Sequence, residues 1–281
     1  MLLTRVITAV AILAVLVGML FFASAMVWSI FVLAVALAAC WEWSRMCALS
    51  ARGQALFLFL SGGLGAAFWL LYARAGDTHF MPAASAAFLL STVFWIFAAA
   101  PWLAKKARPE PFACALAGWL VIWPTWFAFV VLRDASPWLL LAIAALVWVA
   151  DIAAYFAGRN FGDRKLAPAI SPGKTWAGVY GAVAGVALYG ALLSWVSHAH
   201  ATPVSPIFAP ALGIPAIACM LALTVFSVVG DLFESWMKRG AGLKDSSAFL
   251  PGHGGILDRI DALTSTLPVA AFVLSLVAVG A

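Results

Sequence analysis

The sequence predicts an all-α, polytopic integral membrane protein with about nine transmembrane helices and a cytoplasmic N-terminus. Three observations carry that expectation. The 281-residue chain is 65% hydrophobic and only 10% charged, whereas a water-facing surface needs roughly a quarter of its residues charged. Its apolar runs reach the ~20 helical residues that cross a bilayer core. They are also continuous, as from Val6 to Leu20, which argues against a closed β-barrel, whose strands alternate apolar and polar residues.

The expected spans are 6–24, 26–43, 54–73, 80–102, 112–132, 137–157, 174–196, 210–234 and 261–280. The first has a leader-like outline, with Arg5 before it and Ala23-Ser24-Ala25 at its end. It is longer than a usual leader core and a second apolar run follows at once, so a retained helix is expected. With nine spans, Arg5, Arg45, Arg52, Lys105, Lys106, Arg108, Arg159, Arg164, Lys165, Lys174, Lys238, Arg239, Lys244 and Arg259 share one side. Only Arg74 and Arg133 fall on the other. The positive-inside rule makes the first group cytoplasmic and the C-terminus external. Positive loops beside anionic lipid account for the net charge of +5, so no nucleic-acid partner is required. Cys40, Cys47, Cys114 and Cys219 have no metal or redox spacing and read as packing residues.

Two regions follow from where the charges lie. Residues 1–136 form N-terminal helices with ionic residues mainly at their ends. Trp41-Glu42-Trp43 closes the second span, where interfacial aromatic residues are usual. Residues 137–281 carry Asp151 and Asp231 inside apolar runs, together with the two longest Gly-, Pro- and charge-rich cytoplasmic loops. Gly181 and Gly185 form a G-x-x-x-G, and Gly62, Gly63 and Gly65 cluster in the third span. Such glycines permit close helix approach, within one subunit or, alternatively, across a homodimer seam. No long internal repeat is visible, which weakens an ion-coupled transporter built from inverted repeats.

Charge is costly at membrane depth, so an intramembrane carboxylate marks a candidate site. Asp231, Ser235 and Lys238 stand at i, i+4 and i+7, on one helix face. Asp258 and Asp261 are three apart as the ninth span begins and share a face too. Two helix ends could thus present three carboxylates to Mg²⁺, for which hard oxygen ligands are suited. Ion pairing of Asp231 with Lys238, and of Asp258 with Arg259 or Lys244, remains equally open.

Between those helix ends, His253-Gly254-Gly255 can expose successive backbone N–H groups to an anion, or can simply make a tight turn. Lys238, Arg239 and Lys244 nearby favour phosphate. A second anion site is expected at Ser171-Pro-Gly-Lys-Thr175, with Ser171 as N-cap and Gly173, Lys174 and Thr175 in the first turn of the seventh span. It is not a Walker A loop, because Pro168 stands where a glycine is required. Asp151 can be a ligand or can pair with Arg159. Carboxylates, phosphate donors, a cytoplasmic opening and direct access to lipid together suit phosphoryl or nucleotidyl transfer between a nucleotide and a lipid.

The stretch from Ser235 to Asp261 closely resembles the signature of the phosphatidate cytidylyltransferases, or CDP-diacylglycerol synthases. It carries Ser235, Lys238-Arg239, Lys244-Asp245, Pro251 two places before His253-Gly254-Gly255, and Asp258-Arg259-x-Asp261. Gly230 to Ser235, Asp151 to Gly158 and Ser171 to Trp176 look like the family too, although Ala177 stands where members often carry Glu or Gln. The likeness is strong over 137–281 and looser before it. It implies that CTP and phosphatidate yield CDP-diacylglycerol and pyrophosphate, with Mg²⁺ or another divalent cation, at the cytoplasmic face of a bacterial inner membrane. On that reading Asp231, Asp258 and Asp261 hold metal, with Asp245 a weaker candidate. Lys238, Arg239 and Lys244 then meet reactant phosphates, Ser171, Lys174 and Thr175 meet CTP or the lipid headgroup, and His253 orients or protonates a phosphate. A CTP-dependent, polyprenol-type lipid kinase and an ion-coupled transporter are the competing expectations.

Overall fold

The computed structural model describes residues 2–75, 77–105, 110–199 and 213–280. Residues 106–109 of the expected basic loop and 210–212 of the expected eighth span lie outside the described residues. The helices are α1 (Leu2–Phe22), α2 (Ala25–Met46), α3 (Ala51–Ala75), α4 (Asp77–Phe94), α5 (Ala100–Lys105), α6 (Pro111–Ala135), α7 (Pro137–Phe161), α8 (Trp176–Ala199), α9 (Gly213–Gly240) and α10 (Leu257–Gly280). A π-helical turn, Trp95–Ala99, joins α4 to α5. Among the described residues, eight helical stretches have the length and apolarity to cross a membrane, and α1 carries a shorter apolar stretch, Val6–Phe22. The all-α, polytopic expectation therefore holds.

One expected element differs. Ser171–Thr175 is not a helical turn but strand β2, paired antiparallel with β1 (Lys165–Ala167) through Lys165↔Thr175 and Ala167↔Ser171. Pro172 disfavours helical geometry at Ser171, and the pairing with β1 takes up the extended chain. Thr175 caps α8 in place of Ser171, its Oγ1 accepting from the Gly178 N–H at 3.0 Å. Two helix ends also move. α9 runs on to Gly240 and α10 starts at Leu257, so Asp231 to Lys238 occupy one helix and Asp258 lies in the first turn of the next.

Packing fixes how α9 is turned. Phe233 is almost wholly buried among Trp43, Phe94, Trp95, Trp102 and Trp236, with ring centroids 5.4 to 6.4 Å away. Such aromatic pairs add to the stability that burial alone supplies. Two residues along a helix is more than half a turn, so anchoring Phe233 in that cluster directs Asp231 and Ser235 towards α10. Trp43 is itself held, its indole N–H donating to the Cys114 carbonyl at 2.9 Å.

α7 and α8 pack through small residues. A Cβ placed on Gly181 would lie 2.3 Å from the Ala157 Cβ and 2.8 Å from the Ala153 carbonyl oxygen, and one on Gly185 would lie 2.7 Å from the Ala153 Cβ. The G-x-x-x-G seam is thus used within the chain. In α3 only Gly65 serves close approach, against Trp123, while Gly62 and Gly63 face open space. Gly181→Val is therefore predicted to overpack this seam, at a cost of about 1–3 kcal/mol, and to lower the thermal unfolding midpoint of detergent-purified protein. Gly62→Ala, which meets no neighbour and replaces a mid-helix glycine, should not lower that midpoint.

Candidate active site

Helix ends from both halves of the chain meet at one end of the bundle, and two ionic groups form there. In the first, Lys238 Nζ lies 2.5 Å from both Glu234 Oε2 and Asp258 Oδ1. Lys238 is 8% exposed and Glu234 3%, so the charges depend on each other rather than on water. Asp258 Oδ2 also accepts from the Gly255 N–H at 2.8 Å, the Ser246 N–H at 2.9 Å and the Ser246 hydroxyl at 3.0 Å. Glu234 Oε1 has no hydrogen-bond partner.

The second group centres on Asp231. Lys174, at the end of β2, places Nζ 2.5 Å from Asp231 Oδ2, and the Ser235 hydroxyl donates to Asp231 Oδ1 at 3.3 Å. The partners therefore differ from those expected: Asp231 pairs with Lys174 rather than Lys238, and Asp258 with Lys238 rather than Arg259 or Lys244. α9 and α10 cross closely at Gly230, where a Cβ would lie 2.4 Å from Ser265 Oγ and 2.9 Å from the Asp261 carbonyl oxygen. That crossing brings Asp261 beside Asp231, and the two carboxylates interact electrostatically. Asp151, on α7, is also within electrostatic reach of Asp231 and Lys174. Arg159 donates to the Tyr155 hydroxyl at 3.1 Å, not to Asp151.

Among the described residues, no group of three His, Cys, Asp or Glu side chains is arranged to hold a metal ion. The expected trio divides by position. Asp258 is held by Lys238, Ser246 and Gly255. Asp231, itself paired with Lys174 and Ser235, stands beside Asp261, whose Oδ1 accepts from the Ala262 N–H at 2.7 Å. Two neighbouring carboxylates still fit a hard divalent cation, because Mg²⁺ commonly takes one or two protein carboxylates and completes its shell with water and substrate phosphates.

Beyond α9 the chain forms a cavity of about 570 Å³, lined by Lys244, Asp245, Ser247, His253, Gly254 and Arg259 among others. Its size lies in the range of small-molecule sites. One wall is a turn in which the His253 N–H donates to the Leu250 carbonyl at 2.9 Å and Leu250 N–H to the Gly254 carbonyl at 2.8 Å. Pro251 followed by Gly252 at φ +76° is the residue order a type II turn requires. His253 Nδ1 is buried without a partner. Arg239 turns aside, its Nη1 donating to the Leu243 carbonyl at 3.2 Å. Gly255 is needed sterically: a Cβ there would lie 2.0 Å from Ser246 Oγ and 2.4 Å from Glu42 Oε1. Of the expected anion-nest donors, the His253 N–H is used by the Leu250 carbonyl and the Gly255 N–H by Asp258, while Glu42 takes the next two N–H groups, of Ile256 and Leu257. Of the β2 residues, Lys174 reaches the ionic centre, while Ser171 and Thr175 serve pairing and capping.

Glu42, Glu234 and Arg259 were not singled out as site residues by the sequence. Glu42 is 1% exposed and accepts from the Ser246 and Ser247 hydroxyls as well as the two N–H groups. The available signal was a carboxylate within an apolar span, which is costly unless partnered. Its partners lie more than 200 residues away in sequence, so nothing local pointed to them.

The fold and site define a polytopic membrane protein whose buried carboxylates and ammoniums converge beside a basic cavity at one end of its helices. The chain belongs to the cytidylyltransferase family, whose sequence profile matches residues 3–277. A phosphatidate cytidylyltransferase of Pseudomonas aeruginosa is 37% identical over 285 residues, covering 98% of this chain and 97% of that protein. One from Haemophilus influenzae is 48% identical over 130 residues, 46% of this chain and 43% of its own length. One from Rickettsia felis is 37% identical over 145 residues, 52% and 62% of the two chains. The likeness therefore extends through the N-terminal helices, where the sequence signature alone was loose.

Removing the ammonium of Lys238 leaves Glu234 and Asp258 without their shared cation. Lys238→Met is predicted to destabilise the protein by about 3–5 kcal/mol, as for other broken buried pairs. Thermal unfolding in detergent checks this, and Glu234→Gln combined with Lys238→Met should recover part of the loss.

Proposed function

We propose that the chain is a phosphatidate cytidylyltransferase, converting CTP and phosphatidate into CDP-diacylglycerol and pyrophosphate. Family membership and a relative of that name matched over nearly its whole length support the reading. The observation that carries it is the α9–α10 crossing at Gly230, which sets Asp231 and Asp261 together beside Lys174.

In this reaction a phosphate oxygen of phosphatidate attacks the α-phosphorus of CTP. A P–O bond forms there as the bond to the β-phosphate breaks, and pyrophosphate leaves. The nucleophile needs no general base, since a phosphate monoester loses its second proton with a pKa of about 6. The difficulty is charge, because two anions must meet. A divalent cation, when bound, neutralises reactant phosphates and polarises the reacting phosphorus. Asp231 and Asp261 are the side chains proposed to hold it, with Mg²⁺ the ion their chemistry suits. Asp258 we assign instead to holding Lys238 and the 246–255 loop.

The basic cavity suits the nucleotide: Lys244, Arg259 and His253 line it and are the groups assigned to its phosphates. Lys174 suits the lipid phosphate, because it lies just before α8, whose first turns carry Trp176 and Tyr180 exposed on a face that would meet the bilayer. The catalytic groups then lie within 137–281, with the 1–136 helices as a buttress. Arg45, Arg52, Arg159, Arg164 and Lys165 flank the site end while Arg74 and Arg133 flank the other, which supports a cytoplasmic site; the bacterial relatives make an inner membrane the proposed location.

CTP labelled at the α- or the γ-phosphate tests the chemistry. Label is expected in lipid from the α position only; transfer from γ alone would make the protein a lipid kinase. Asp231→Asn and Asp261→Asn are each predicted to lower turnover by at least about 100-fold, as expected when transition-state charge loses its stabilisation, in protein that melts near the wild-type temperature. Chelation should stop turnover and added Mg²⁺ restore it.

A further inference from the structure

We infer that Glu42 is a positioning residue for the nucleotide site, holding both limbs of the cavity loop to α2 with a single carboxylate. The inference rests on the cytidylyltransferase reading for its kinetic consequence and on geometry for the rest. One limb is bound through Ser247, whose hydroxyl donates to Oε1 at 2.6 Å, and Ser246, whose hydroxyl lies 2.9 Å from Oε2. The other is bound through the Ile256 N–H, 2.9 Å from Oε1, and the Leu257 N–H, 2.7 Å from Oε2. Between the limbs runs the segment 248–255, which forms much of the cavity wall.

Several features make this more than a buried cap. The N–H groups of Ile256 and Leu257 stand at the start of α10, where helical donors lack intrahelical partners and a carboxylate is favoured by the helix dipole. Ser246 also lies against Asp258, so Glu42 sets the register of the carboxylate that holds Lys238. Glu42 itself has little freedom. Its neighbour Trp43 is fixed between Phe233 and α6, where a Cβ on Gly118 would lie 2.4 Å from its ring. Arg45, one turn on, donates to the Ser246 carbonyl at 3.3 Å. No α2 residue lines the cavity, so Glu42 acts on the nucleotide only through the loop.

The geometry makes a sharp demand. One backbone N–H points at each carboxylate oxygen, and neither can reverse its polarity. Whichever way a carboxamide turns in Glu42→Gln, one of them faces an NH₂ group, and an unsatisfied buried donor is costly. The hydroxyls can turn; the amides cannot.

The test uses the full-length enzyme purified in detergent with mixed lipid, comparing wild type with Glu42→Gln. Steady-state kinetics gives KM for CTP and for phosphatidate separately, and amide hydrogen exchange reads peptides spanning 244–258. The KM for CTP is expected to rise about tenfold, a hydrogen bond to a charged group being worth that much or more. The KM for phosphatidate should stay within about twofold, an interaction confined to one subsite leaving the other nearly unchanged. Exchange should quicken in 244–258 and not in α6 or α7. A fall in kcat with both KM values unchanged, uniformly faster exchange, or wild-type behaviour throughout would overturn the inference. If wild type turns over no CTP at all, the functional reading fails and the exchange pattern alone decides the clamp. Should Glu42→Gln not fold, Glu42→Asp keeps the charge but withdraws it by one methylene and is expected to give the same split. Failure of both to fold would assign Glu42 a purely structural role.

Discussion

Charge carried to membrane depth has to be answered by other charge or by hydrogen bonds inside the protein, and this requirement organises the site end of the bundle. Lys238 is held between Glu234 and Asp258, Asp231 is held by Lys174, and Glu42 is surrounded by four donors. No one helix could satisfy these groups alone. Each is completed by a residue on another element of the fold, so assembling the helices and assembling the site are one event.

The apolar part of the fold serves that assembly. Phe233, seated among five aromatic rings, sets the rotation of α9. Gly230 lets α10 approach until the Asp261 backbone touches α9. Small residues along α7 and α8 let those helices close together, which carries β2 and Lys174 to Asp231. A membrane supplies little hydrophobic force between helices, and close contact through glycine and fixed aromatic packing takes its place. The result is a frame that sets Asp231 and Asp261 side by side next to Lys174.

Much of this was legible in the sequence, for identifiable reasons. Apolar runs gave the helices because a bilayer sets their length, and the shared face of Asp231, Ser235 and Lys238 followed from helical periodicity. Ser171 to Thr175 misled because serine followed by proline opens helices and strands alike; what decides is pairing with Lys165 to Ala167, which local preference does not encode. The end of α9 and the start of α10 lay beyond their apolar stretches because ion pairs, not hydropathy, sustain the last turns of α9 and the first of α10. The partners of Asp231 and Asp258 were hidden for the same reason, since Lys174 arrives on a hairpin. Glu42 looked like part of an interfacial aromatic cluster, and only its distant donors reveal its part.

The central claim is that Asp231 and Asp261, joined by the Gly230 crossing, form the cation-holding pair, while Asp258 is committed to Lys238. Electron paramagnetic resonance of Mn²⁺ added to the purified protein in the presence of CTP measures this most directly. The account predicts bound Mn²⁺ that Mg²⁺ displaces and that is lost when Asp231 and Asp261 are both replaced by Asn. Undiminished Mn²⁺ binding in that double variant would contradict it.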